Sequence, residues 1–163
     1  MITTRIVDNY LPEDYFNQIR DYIVWNNSFP FYFGRTNSEQ TEESHWYACH
    51  VGYADNAPIG ELYYKLVPFL YGIPDFRSLM RIKANFYPQT NELREHAPHR
   101  DADFEHKGAI LYLNTCDGFT RLEDGTKVDS VENRVLFFDS SQFHNSTTTS
   151  NAKGRFNINI NYL

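Results

Sequence analysis

The chain of 163 residues has the size of one domain with a proper core, and its aromatic content, 17% with 12 Tyr and 13 Phe, excludes a disordered polymer. A formal net charge of −6 gives no general attraction to phosphate backbones, so nothing in the composition asks for nucleic acid. No apolar run reaches the length of a membrane span, and "MITTRIVDNYLPED" lacks the basic and apolar segments of a secretory signal. The two isolated cysteines, Cys49 and Cys116, suit a reducing cytoplasm better than a disulfide framework.

In chain order, apolar side chains at Leu11, Tyr15, Phe16, Ile19, Tyr22 and Ile23 predict a helix over 11–25, with Pro12 in its first turn. The stretch 35–45, "RTNSEQTEESH", is polar and aperiodic. It reads either as a plain surface loop or as a lid that orders over a site when substrate binds. An aromatic strand, "HWYACHVGY", follows, and then a second helix over Ile59–Leu70 after Pro58. Beyond about residue 76 the pattern changes to short strands: Leu79–Tyr87, Ala109–Asn114, Phe119–Leu122, Lys127–Val131, Val135–Asp139 and Arg155–Leu163. "EDGT" at 123–126 marks a tight hairpin. The expected architecture is a single mainly-β domain: residues 1–75 as helical support, and 76–163 as a β sandwich or barrel with the helices on one outer face.

Two strands alternate with period two. "MRIKANFY" places Arg81, Lys83, Asn85 and Tyr87 on one face, and "RFNININYL" does the same with Arg155, Asn157, Asn159 and Asn161. That polar face either meets water or lines the mouth of a barrel. Three asparagines beside an arginine resemble a hydrogen-bonding lining as much as a solvent face.

Of six histidines, only His99 begins a His-x-Asp, with Asp101. Residues i and i+2 of an extended segment project to the same side, so the pair offers an imidazole and a carboxylate to one point. A second imidazole following the buried run "VLFF" is His144. Two histidines and one carboxylate on one face of an octahedron suit a non-haem Fe(II) site. His96 with His99 also reads as half of a zinc site, but no Cys pair or second His pair completes it.

These pieces resemble the Fe(II)/2-oxoglutarate-dependent dioxygenases, within them the prolyl 4-hydroxylase-like group. "FYP" (86–88), "HRD" (99–101), "YLN" (112–114), "GFT" (118–120), "FH" (143–144) and "GRF" (154–156) stand in the family's order across the C-terminal half. The resemblance implies a double-stranded β-helix, or jelly-roll barrel, with helices on its major sheet. It implies His99, Asp101 and His144 as Fe(II) ligands and Arg155 as partner of the distal carboxylate of 2-oxoglutarate. Tyr112 would bond that same carboxylate, Tyr87 would lie near the end chelated to iron, and Thr120 would line the cosubstrate pocket. The implied activity is O2-dependent hydroxylation, either of a peptidyl proline or of a small molecule; a non-catalytic jelly-roll binding module is the alternative of another class. Neither nucleic acid nor a membrane is expected as partner. Compact members of this sort occur in bacteriophage, for which the compartment would be the host cytoplasm.

Some features depart from the family pattern. The segment from Tyr87 to His99 is longer than usual, which leaves open whether Tyr87 or Lys83 meets the cosubstrate. Collagen-type enzymes often carry Lys where this chain has Arg155. "RFNININ" faintly echoes the nucleic-acid demethylases, but Asn161 stands where their second arginine would be. Asp101 favours hydroxylation over halogenation, because related halogenases have a small residue there.

Overall fold

A computed structural model describes residues 3–35 and 46–163. Its elements are β1 (Arg5–Val7), α1 (Glu13–Arg20), β2 (Tyr32–Arg35), β3 (Trp46–Ala54), β4 (Ala57–Pro58), α2 (Glu61–Gly72), β5 (Leu79–Pro88), β6 (Lys107–Tyr112), β7 (Phe119–Leu122), β8 (Lys127–Asp129), β9 (Val135–Asp139), β10 (His144–Ser146) and β11 (Gly154–Tyr162). Of the polar stretch 35–45, residues 36–45 lie outside the described residues.

α1 starts two residues later than its apolar spacing predicts, because Pro12 is extended (φ −50, ψ 135) and stands at the N-cap. The helix runs on as a π-turn through Asp21–Trp25. α2 begins after Gly60, whose φ of 69 is in the left-handed region that glycine adopts without strain. Tyr15 locks the helices together: its hydroxyl donates to the Lys65 carbonyl at 2.8 Å and accepts from the Phe69 amide at 3.2 Å. That hydroxyl is inserted between two groups that an undisturbed helix would pair directly, next to Pro68. No described helix is long and apolar enough to cross a membrane.

The strands form two antiparallel sheets. The major one runs β1-β9-β6-β11-β5-β3-β2, with β4 paired to β3, and the minor one runs β10-β7-β8. The predicted hairpin joins β7 and β8 through Gly125, at φ 87. Isolated bridges Glu95↔Thr147 and His99↔His144 lay the segment after β5 along the free side of β10. This is the jelly-roll arrangement. The segment before residue 76 does more than support it with helices, since β1, β2 and β3 all join the major sheet.

β6 shows why the layers separate. Ala109 and Leu111 point to one side and pack with Phe16, Ile19, Leu62, Leu66 and Phe69 of the helices. Ile110 and Tyr112 point to the other, into a smaller core with Leu122, Val128, Leu136 and Phe138 between the sheets. Alternation alone assigns successive residues to the two cores. The site occupies the same inter-sheet space as the smaller core.

Candidate active site

β5 and β11 pair in the register Arg155↔Tyr87, Asn157↔Asn85, Asn159↔Lys83, Asn161↔Arg81. Ile82, Ala84, Ile158 and Ile160 face the helices, so this polar row faces the minor sheet. It is a lining and not a solvent face: Arg155 is 0% exposed, Asn157 3% and Asn161 2%.

Asp101 sits against one end of the row. Arg81 donates to its Oδ1 at 2.5 Å; Ser140 Oγ donates to Oδ2 at 2.6 Å, Asn161 at 2.9 Å and Asn159 at 3.2 Å. Burial alone would raise the carboxyl's pKa. Arg81, His144, Ser140 and Asn161 outweigh it and hold the group well below the usual carboxylate range. Asp101 is therefore an ionised carboxylate whose orientation is fixed from two strands, β5 and β11, and a turn.

His99 and His144, forty-five positions apart, become direct cross-strand neighbours. Each backbone N–H donates to the other's carbonyl, at 2.9 and 3.0 Å, and the rings lie 4.6 Å apart. His144 Nδ1 is 3.0 Å from the Gln142 carbonyl. A carbonyl only accepts, so Nδ1 carries a proton, and Nε2 is the ring atom turned toward Asp101. His144 Nε2 is 3.7 Å from Asp101 Oδ2, and His99 Nε2 is 3.9 Å from Oδ1. The three ligand atoms all lie within 4.8 Å of one another, the one such His/Cys/Asp/Glu group among the described residues. Burial, then the neighbouring His144, pulls His99 down to about 4, which keeps its imidazole neutral near pH 7. Two imidazoles and a carboxylate are the donors that non-haem Fe(II) takes.

The other end of the row belongs to Arg155. Its guanidinium donates to Ser146 Oγ at 2.5 Å and Thr120 Oγ1 at 3.1 Å, and lies 5.3 Å over the Tyr87 ring and 5.6 Å over that of Tyr112. Its Nε has no partner, and no carboxylate among the described residues pairs with it. A wholly buried cation with only neutral partners is costly unless an anion joins it. Gly118 makes room, since a Cβ there would stand 2.5 Å from Arg155 Cδ and 2.7 Å from the Thr148 carbonyl.

Ser146, which receives Arg155, is two residues after His144 on β10. One pleat period, about 7 Å, thus separates the metal position from the anion position, which is the reach of a short dicarboxylate. A chamber lined by Tyr87, Thr120, His144, Ser146 and Asn157 connects them. Both observations fit a chelated metal together with 2-oxoglutarate.

Tyr112 donates its hydroxyl to Thr120 at 2.8 Å, so Thr120 is what touches Arg155 and Tyr112 holds that threonine. Tyr87 departs from the sequence expectation. The strand register sets it opposite Arg155, and it bonds Ser146, so it lies at the anion end and not at the metal end. Lys83, two rungs along β5, occupies the metal end instead. Sequence reasoning passed over Ser140 and Ser146 altogether. The i, i+2 rule that singled out Asp101 from His99 also leads from His144 to Ser146.

No family model matches the chain, and no curated protein sequence matches it. Solved structures do. A Trichoplax adhaerens prolyl hydroxylase, in complex with a peptide fragment of the hypoxia inducible factor oxygen degradation domain, aligns with TM-score 0.71 and 16% identity over 98% of this chain and 83% of that one. The chain has the fold of the 2-oxoglutarate–Fe(II) oxygenases. A Pseudomonas putida prolyl-4-hydroxylase matches at TM-score 0.66 and 14% identity over 99% of this chain and 93% of that one. A non-haem alpha-ketoglutarate-dependent epimerase, SnoN of nogalamycin biosynthesis, matches at TM-score 0.67 and 10% identity over 99% and 78%. At these identities the likeness is one of fold, and within that fold His99, Asp101 and His144 form a donor group that could hold a metal ion. The neighbours differ in the reaction they are named for, so the fold leaves the prime substrate to the site.

Proposed function

We propose that the protein is an Fe(II)- and 2-oxoglutarate-dependent oxygenase that hydroxylates its substrate. The observation that carries this is the buried, acid-free Arg155 one pleat from a His-Asp-His triad. His99, Asp101 and His144 would hold the metal. Arg155, with Thr120 and Ser146, would receive the distal carboxylate; Tyr112 would orient Thr120, and Tyr87 would close the pocket over the guanidinium. When bound, Fe(II) and 2-oxoglutarate supply the oxidation, with O2 consumed, the cosubstrate decarboxylated to succinate and one oxygen atom inserted into a substrate C–H bond. The chain's contribution is placement: Asp101 stays ionised under Arg81, His99 stays neutral, and one chamber runs from His99 and His144 to Thr120 and Ser146.

For the substrate, peptidyl proline is the reading favoured by the prolyl hydroxylases among the structural neighbours. A small-molecule substrate is favoured by Arg81, Lys83 and Arg100, which line a cleft together with His99 and Asp101. The activity is tested by adding Fe(II) and 2-oxoglutarate without oxygen, then admitting it. The chelated keto acid should give a visible charge-transfer band, and succinate should appear only with O2. A protein that binds metal and 2-oxoglutarate yet never forms succinate with any substrate tested is a binding module.

A further inference from the structure

Outside the chamber, a second cleft opens over the metal position, lined by Tyr47, Arg81, Lys83, His99, Arg100 and Asp101, among others. The chain is acidic overall, but this cleft is not. Its cations are Arg81, Lys83 and Arg100, and its one acid, Asp101, is already bonded to Arg81. Arg100 lies at the exposed rim with its guanidinium 4.2 Å over the Phe143 ring, where it attracts anions without fixing them.

Lys83 is placed differently. It is half-buried at the junction of the outer cleft and the inner chamber, lining both, on the same rung as Asn159. Its ammonium lies 5.2 Å from the centre of the Tyr47 ring and forms no ion pair among the described residues. Burial and then the nearby Arg81 disfavour its charged form, so an anion beside it would relieve an existing cost. Arg155 already offers a deeper cationic end for the cosubstrate, two rungs away.

We propose that Lys83 is a carboxylate anchor for the prime substrate, which is a small organic acid whose carboxylate lies within a few bonds of the carbon that is oxidised. This rests on the oxygenase reading above and narrows it. A peptidyl proline, flanked by neutral amides, brings no charge to that position, whereas a free acid does. Lys83 holds the acid end beside His99 and so aims a neighbouring C–H bond at the metal position.

The test uses Mn(II), which accepts the same donors and speeds the NMR relaxation of nuclei held near it. The full chain is loaded with Mn(II) and saturating 2-oxoglutarate, and acetate is titrated against neutral acetamide of similar size. Acetate should show saturable relaxation enhancement that acetamide lacks. Lys83→Met should weaken acetate binding by about tenfold or more, as expected for loss of one buried charge partner, and Lys83→Arg should restore part of it. Acetate and acetamide behaving alike in the wild-type chain would overturn the proposal, even if Lys83→Met does not fold. Acetate relaxation that vanishes as 2-oxoglutarate saturates would also overturn it, assigning Lys83 to the cosubstrate. Failure to bind Mn(II) or 2-oxoglutarate at all would instead sink the oxygenase reading, and this inference with it.

Discussion

Arg81 and Asp101 form an ion pair at 2.5 Å in which the aspartate side chain is 5% exposed, so a candidate metal ligand is held by a cation from a strand twenty residues earlier. The pair orients the carboxylate and keeps it ionised. Arg81→Gln should therefore lower metal affinity by about 10–100-fold, the usual cost of losing an outer-sphere partner, while the fold survives. Mn(II) titration followed by electron paramagnetic resonance measures this. An unchanged affinity would mean that Asn159, Asn161 and Ser140 suffice.

Arg155→Ala removes the anion site and leaves the metal ligands in place. Truncating one partner of a buried charge pair costs about 2–5 kcal/mol, so 2-oxoglutarate binding should fall roughly thirty-fold to several thousand-fold. Metal affinity without cosubstrate should hold. Tyr112→Phe removes one neutral donor to Thr120 and should cost only about 0.5–3 kcal/mol. Calorimetry on the Mn(II)-loaded variants separates the two. Equal losses would mean that Tyr112 meets the cosubstrate directly.

Gly118→Ala is the least obvious substitution at the cosubstrate pocket. The new methyl would overlap Arg155 Cδ and the Thr148 carbonyl, and the backbone oxygen has little freedom to yield. Arg155 should be pushed out of line, with weakened 2-oxoglutarate binding as the main effect and a stability loss of about 1–3 kcal/mol from overpacking. Thermal unfolding and cosubstrate titration together would show it. An alanine variant with wild-type affinity would show that Arg155 can shift without loss.

The segment that delivers His99 is pinned to the minor sheet by Glu95, whose carboxylate accepts from Arg121 at 2.7 and 2.9 Å and from Asn145 at 3.1 Å. The hydrogen bonds from Arg121 lower the Glu95 pKa from 4.5 to about 2. A depressed carboxylate contributes stability above its unfolded pKa and loses it as pH falls through the folded value. Wild type should thus exceed Glu95→Gln by under about 1 kcal/mol at pH 6, since the pair is partly exposed. That difference should shrink toward zero between pH 4.5 and about 2. Denaturant unfolding of both proteins across that range is the measurement, and a constant gap would exclude the ion pair as its source.

β5 and β11 were legible because each carries a strict alternation, β9 because it is a continuous apolar run, and β7 and β9 fall on the predicted residues. That His99 and Asp101 share a side was legible from the i, i+2 spacing, and His144, which the fold brings to them, from its place after the apolar run Val135–Phe138. What pairs with what was not. Nothing local says that Tyr87 stands opposite Arg155, because that depends on the β5–β11 register, fixed by Ile82, Ala84, Ile158 and Ile160 packing on the helices. Ser140 was hidden in a turn whose hydroxyl matters only once Asp101 is folded against it.

β11 lies between β6 and β5 in the major sheet, although it follows both in the chain. A chain emerging from its N-terminus must leave two inward-facing strand edges unpaired until this segment arrives. During that interval neither the helix-side core nor the polar lining is complete, because Ile158 and Ile160 belong to one and Arg155 and Asn159 to the other. Folding and site assembly therefore share one late, long-range step, of the kind that makes β topologies slow and exposes open edges to neighbouring chains. The same nine residues that carry Arg155 and the asparagine lining also close the gap between β5 and β6.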